Sequence, residues 1–159
     1  MNDIDPIKFE KVKNESEAFY KTIGKVRCPY FKEGISFNAK GLEHIKFHGP
    51  RHARSHRDQY IRFRLISLAP RILQESHTLQ GLSRRNNLER IKTNSRWETA
   101  MRSVTYYEFV AVINDYRVRV IMKEVEGGSG KYFWSIIPFW KMDKITGRRL
   151  LHSGKPETD

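Results

Sequence analysis

With 159 residues, 38% of them hydrophobic and 12% aromatic, the chain has the length of one domain and enough apolar material for a real core. Thirty Lys and Arg against eighteen Asp and Glu give a formal charge of +12 and a pI near 10.0, which points to a polyanionic partner. There is no long apolar run and no basic amphipathic helix with an aromatic face, so nucleic acid is favoured over a membrane surface, and a single cysteine, Cys28, excludes a disulfide framework within the chain or a thiolate pair for a metal.

The charge is uneven. Residues 1–25 carry five basic and five acidic side chains, 26–57 seven against two, and 58–103 nine against four, so the middle of the chain is the basic part. The start, MNDIDPIKFE, lacks the positive and then apolar regions of a signal peptide, and the expected compartment is the cytoplasm.

Taken in order, Glu15 to Ile23 has a helical stripe of Ala18, Phe19 and Ile23, ended by Gly24. Val26 to Phe31 and Ile35 to Asn38 are short extended pieces able to pair at a sheet edge. Ala39 to His48 is a helix with Leu42 and Ile45 on one flank, stopped by Gly49-Pro50. A second helix starts near Ser55 and runs to about Leu68, with Tyr60, Phe63 and Ile66 inside and Arg57, Arg62 and Arg64 wet; Pro70 restarts it through Gln74. His77 to Ser103 is polar and is expected to be loop, with one strand around Leu88 to Thr93.

From Val104 to Ile113 and from Tyr116 to Val125 the pattern is that of a hairpin with Asn114-Asp115 as its two-residue loop. That loop pairs Ile113 with Tyr116, Val112 with Arg117, Val110 with Arg119 and Tyr106 with Lys123. One face then carries Phe109, Ala111, Ile113, Val118, Val120 and Met122, and the other Tyr106, Glu108, Arg117, Arg119 and Lys123. The last strand, Lys131 to Trp140, has two registers one residue apart. A five-residue loop is preferred because it turns Tyr132, Trp134 and Ile136 to the core, leaving Lys131, Phe133 and Ser135 on the polar face. Residues 144–159 are expected to be a loose polar tail. The implied organisation is a helical region at 1–25, one α+β domain at 26–143 and the tail.

Two clusters can carry chemistry. Histidines at 44, 48, 52 and 56 recur every four residues, but Gly49-Pro50 leaves only His44 and His48 on one helical face. With no Cys or carboxylate to complete a ligand set, acid/base work or a surface position is favoured over metal, and no cofactor is expected. Arg51, Arg54 and Arg57 form a phosphate-facing patch or a solvated charged run. On the sheet, Arg117, Arg119, Lys123 and Lys131, near Tyr106, Glu108 and Ser135, could hold a phosphodiester and stack a base on Tyr106 or Phe133, or they are the wet side of an ordinary antiparallel sheet.

A His-bearing helix with the text GLEHIKFH, later helices and a terminal sheet ending in KYFWSIIPFW resemble the phage-associated members of the barnase, EndoU, colicin E5/D and RelE-like nuclease superfamily. The likeness covers roughly Phe31 to Lys141. It implies N-terminal helices packed on one face of a C-terminal antiparallel sheet of about four strands, with RNA bound and cut without metal on the other face. It also implies His44 and His48 as helix histidines, Arg117 and Arg119 as strand cations, Ser135 as the hydroxyl of the last strand, and a protein inhibitor or antitoxin as a further partner. Glu108 joins this set from the hairpin register. The expected function is a small metal-independent endoribonuclease; the alternatives are a nucleic-acid-binding protein without catalysis and a basic structural protein of a phage or plasmid.

Overall fold

The first three α-helices begin where a side chain can satisfy their first free N–H groups. Asp5 Oδ1 accepts from the Ile7 N–H at 3.0 Å and starts α1 (Pro6–Ile23), which is longer than the Glu15–Ile23 stripe because Pro6 fits the first helical turn. Asn38 Oδ1 accepts from Gly41 N–H at 3.1 Å and starts α2 (Ala39–Lys46). Ser55 Oγ accepts from Asp58 N–H at 3.1 Å and starts α3 (His56–Leu65). A 3-10 turn, Ile66–Leu68, leads into α4 (Ala69–Glu75) with Pro70 in its first turn. The computed structural model describes residues 4–159.

The strands are β1 (Lys25–Cys28), β2 (Glu33–Ser36), β3 (Phe47–Gly49), β4 (His52–Ala53), β5 (Gly81–Thr93), β6 (Arg96–Ile113), β7 (Tyr116–Val125) and β8 (Tyr132–Pro138). The fold is α+β, but an antiparallel sheet of about four strands is not what forms. The main sheet has six strands in the order β1-β2-β8-β7-β6-β5 and is mixed, and β3 and β4 make a separate small hairpin. Two features account for the difference. The β1-β2 hairpin joins the sheet through one parallel pairing, Ser36 with Tyr132, and the strand expected around Leu88 to Thr93 extends back through the stretch expected to be loop, to make the 13-residue β5.

The β6-β7 hairpin has the predicted register throughout, from Ile113 opposite Tyr116 to Tyr106 opposite Lys123. Asn114 and Asp115 take φ of 49° and 64°, the left-handed pair that matches strand twist in a two-residue loop. Phe109, Ile113, Val118, Val120 and Met122 enter the main core together with Phe9, Tyr20, Ile45, Phe63 and Leu73 from the helices.

In β8 both candidate registers occur. Lys123 pairs with Tyr132 and Met122 with Phe133, but Ile121 pairs with Ser135 and Val120 with Ile136, so Trp134 is the extra residue of a β-bulge. The bulge sends Phe133 and Ile136 to the helix side, and Tyr132, Trp134 and Ser135 to the opposite face. The expected inward positions of Tyr132 and Trp134, and the outward one of Phe133, are therefore corrected.

Beyond Val104, β5 and β6 continue as a two-stranded ribbon without β7. Lys123 lies level with Tyr106, and Tyr106 with Ser83, yet Lys123 Nζ is 2.7 Å from Glu89, six residues further along β5 and about 20 Å away in a flat strand. The ribbon therefore curls over the face opposite the helices. There Ile91, Val104, Tyr106, Ile121 and Val125 form a second, smaller core.

Because β2 meets β8 at a single pair, most of the β8 edge is free for α2 and α3. Gly41 is what lets α2 approach, since a methyl group at that position would overlap the Phe133 carbonyl oxygen and stand 2.6 Å from the Tyr20 hydroxyl. Gly41→Ala is expected to cost roughly 2 kcal/mol or more in urea unfolding despite the better helix propensity of alanine; an unchanged midpoint would show that the helix can move away from the strand.

Candidate functional site

The small hairpin after α2 returns the chain against that helix. Arg54 N–H donates to the Lys46 carbonyl at 2.9 Å, with Arg51 at φ 62° in the turn. Ser55 then caps α3, which places Arg54, Asp58 and Arg62 four residues apart on one side. Asp58 lies between the two guanidiniums, 2.5 Å from Arg62 Nε and 3.4 Å from Arg54 Nη1. Gln59 Nε2 donates to the Arg54 carbonyl at 2.8 Å and fixes the start of the helix.

The sheet supplies the other half. Arg119 Nε donates to Glu108 at 3.1 Å, and its Nη2 to the second oxygen of the same carboxylate. Arg62 Nη1 donates to Ser135 Oγ at 2.5 Å. The polar face is not open, because the segment expected to be a loose tail packs onto it: Arg119 Nη1 donates to Asp159 Oδ2 at 3.0 Å, and Ser135 Oγ to the Asp159 main-chain oxygen at 2.7 Å. Fractional exposure is 6% for Arg54, 1% for Arg62 and 2% for both Arg119 and Asp159. Three guanidiniums are thus withdrawn from water, Arg62 and Arg119 on oxygens of Asp159 and Arg54 on the neighbouring Thr158 carbonyl. Burial and the neighbouring Arg62 charge lower the Arg54 guanidinium to about 10, still protonated at neutral pH.

His44 joins the two halves. It reaches across the β8 edge to stack on Trp134, with ring centres 3.9 Å apart, while Leu42 and Ile45 of the same helix enter the main core. Its Nε2 lies 3.0 Å from Arg54 Nη2. An arginine nitrogen only donates, so Nε2 accepts and, in the neutral ring, the proton is on Nδ1. Burial first, and then the charges of Arg54, Arg62 and Lys123, hold the imidazole well below its ordinary range and therefore uncharged. On the other side of Trp134, Lys123 Nζ stands 4.1 Å from the ring centre. Burial lowers the Lys123 ammonium, and its contact with Glu89 opposes that shift.

Of the expected site residues, His44, Arg54, Glu108, Arg119, Lys123 and Ser135 are brought together. His48 is exposed at the mouth of a cleft of about 660 Å³ that has Arg54, Asp58, Arg62 and Asp159 among its lining residues and Arg148, Arg149, His152 and Lys155 on the side of the closing segment. Arg51 and Arg57 stay on the surface, so the arginine patch is divided and only Arg54 faces inward. Arg117 is exposed near the end of the β6-β7 hairpin. Lys131 pairs with Glu33 and Glu124 over the Phe31 and Tyr107 rings, outside the cluster. Tyr106 is fully buried under the ribbon with its hydroxyl accepting from Asn87, and Phe133 lies in the main core, so neither ring is available to stack a base.

Arg62, Asp58, Trp134 and Asp159 belong to the site and were not among the expected residues. The four-residue ladder Arg54-Asp58-Arg62 is the signal that could have found two of them. Among the described residues no three of His, Cys, Asp and Glu gather as a group able to hold a metal ion, and no helix is long and apolar enough to cross a membrane.

Comparison with known proteins finds no matching family model, no matching curated protein and no matching solved structure.

An imidazole kept neutral in the fold contributes stability that is fully present above its unfolded value of 6.5 and is lost as pH falls below it, because the unfolded chain takes up the proton first. His44→Gln retains an acceptor for Arg54 without that titration. Urea midpoints measured from neutral to mildly acidic pH are expected to fall less steeply in the variant, the difference approaching about 1.4 kcal/mol per pH unit below the unfolded value. Parallel profiles would show that His44 is not the group responsible.

Proposed function

We propose that this protein is a metal-independent endoribonuclease acting on cytoplasmic RNA, as its resemblance to the barnase, EndoU, colicin E5/D and RelE-like superfamily implies. The observation that supports this best is the convergence of the Arg54, Arg62 and Arg119 guanidiniums and the Ser135 hydroxyl on the adjacent oxygens of Thr158 and Asp159. Buried donors fixed in advance around a negative group are what a pentacoordinate phosphorane requires, because they need no reorganisation as its charge develops.

In this reading the ribose 2′-oxygen attacks the adjacent phosphorus while Glu108, beside Arg119, takes the hydroxyl proton. The phosphorus–5′-oxygen bond breaks, and His48 at the cleft mouth protonates the leaving oxygen, giving a 2′,3′-cyclic phosphate and a free 5′-hydroxyl. His44 is a positioning residue: its Nε2 accepts from Arg54 and its ring is clamped on Trp134.

A second reading, a nucleic-acid-binding protein without catalysis, is favoured by one detail. Both oxygens of Glu108 are engaged by Arg119, and Nε2 of His44 by Arg54, so two of the candidate proton acceptors are already occupied.

Purified protein incubated with mixed RNA in EDTA is expected to leave 2′,3′-cyclic phosphate ends, with the matching DNA uncut. Arg119→Ala and His48→Ala are each expected to lower the rate by roughly 10²-fold or more. RNA left intact, but bound with a steep dependence on salt, would favour the second reading.

A further inference from the structure

The oxygens inside the ring of cations belong to the chain itself. Asp159 Oδ2 accepts from Arg119 Nη1 at 3.0 Å, and its main-chain oxygen accepts from Ser135 Oγ at 2.7 Å and from Arg62 Nη1. Arg54 Nη2 donates to the Thr158 carbonyl at 3.0 Å, Trp134 Nε1 donates to the Pro156 carbonyl at 3.1 Å, and Arg85 pairs with Glu157 at 3.0 Å. In each of these contacts the body of the protein donates and the segment accepts. The segment is braced internally as well, with Asp159 Oδ1 accepting from the Ser153 N–H at 2.7 Å and its Oδ2 from the Gly154 N–H at 3.2 Å.

A segment docked by its oxygens onto buried cations is unlike one docked by apolar side chains. Phosphate oxygens of an incoming strand can replace its acceptors one for one, and the guanidiniums then exchange one set of charge-assisted bonds for another of similar strength. Expulsion of the segment therefore leaves no buried cation without a partner, which is otherwise the large penalty for opening such a site.

We propose that Ser153–Asp159 is an internal competitor for RNA, in which Asp159 occupies the seat of a backbone phosphate, Arg62 is a phosphate-binding residue, and a bound strand displaces the segment. This rests on the RNA-directed reading above but not on catalysis. It also separates two states of one site: closed, with the cations paired to the chain's own oxygens, and open, with Arg54, Arg62 and Arg119 presented to a polyanion.

The test measures binding of a fluorescent 2′-O-methyl oligonucleotide, which lacks the attacking hydroxyl and cannot be cleaved by the proposed route. Asp159→Asn in the full chain is expected to bind about tenfold more tightly than the natural protein, since it weakens the hold of Arg119 on the segment. In a second full-length variant, Arg85→Cys with Glu157→Cys, a short reducible bismaleimide ties the segment down at the place of the Arg85–Glu157 pair; the native Cys28 is buried and out of reach. Cross-linking is expected to abolish oligonucleotide binding, and reduction to restore it to the level of the uncross-linked variant. Equal affinity before and after cross-linking overturns the proposal, whatever Asp159→Asn does, and this measurement also decides the matter if Asp159→Asn fails to fold. A protein that binds the oligonucleotide only with the segment free, yet never cuts RNA, removes the nuclease reading and leaves the competitor in place. Cleavage of RNA with cross-link-insensitive binding does the reverse.

Discussion

A guanidinium withdrawn from water must recover its hydrogen bonds from the protein, and the burial of Arg62 ties together three parts of the chain that are far apart in sequence. Its partners are Asp58 one helical turn away, Ser135 on the last strand, and Asp159 in the closing segment. The desolvation of such an ion costs several kcal/mol and is offset only where geometry supplies a counter-charge and further acceptors. Arg54 and Arg119 are under the same constraint: Arg54 is met by Asp58, His44 and the Thr158 carbonyl, and Arg119 by Glu108 and Asp159. The arrangement of α3 against β8, and of the segment against both, follows from satisfying these three cations at once.

That solution depends on two local features of β8. The bulge at Trp134 turns Ser135 and Trp134 to the polar face while keeping Phe133 and Ile136 in the main core, which a regular strand with strict alternation could not do. The missing side chain at Gly41 brings α2 close enough for His44 to reach over the strand edge onto Trp134. Without the bulge Arg62 would have no hydroxyl to meet, and without the close helix Arg54 would lose its buried acceptor.

What was legible in the sequence was what short range decides. Asn114-Asp115 specifies a two-residue loop, and alternation on either side then fixes every pair from Ile113–Tyr116 to Tyr106–Lys123. Helix starts at Asn38 and Ser55 and the restart at Pro70 are equally local. Of the β5-β6 ribbon only the strand around Leu88 to Thr93 was legible, because the rest is rich in Arg, Asn and Glu and its loop, Asn94-Ser95, lies in a stretch without continuous apolar alternation; the pairing to β6 and the curl onto Lys123 extend it to Gly81. Arg62 looked wet because its neighbours Tyr60 and Phe63 already account for an apolar stripe, and its acceptors lie 73 and 97 residues further on. The packing of residues 150–159 was hidden for the same reason, since polar segments held by distant cations have no periodicity to betray them.

The charge of +12 and the buried cluster also do different physical work. Within the cluster Arg54, Arg62, Arg119 and Lys123 stand against Asp58, Glu108, Glu89 and Asp159, so in the closed state the site is close to neutral and adds little to the field around the protein. The excess that would draw in a polyanion is carried instead by exposed side chains such as Arg51, Arg57 and Arg117, and by Arg148, Arg149 and Lys155 at the cleft. Attraction from the exposed charges is screened by salt within about 10 Å at ordinary ionic strength, whereas contacts among the buried groups are screened far less. On the proposed RNA-directed reading, capture of a strand and its engagement in the cluster would therefore be separable steps with different salt dependence. Exchange of the Asp159 oxygens for phosphate oxygens is the event that would turn a neutral, closed cluster into an anion-binding one.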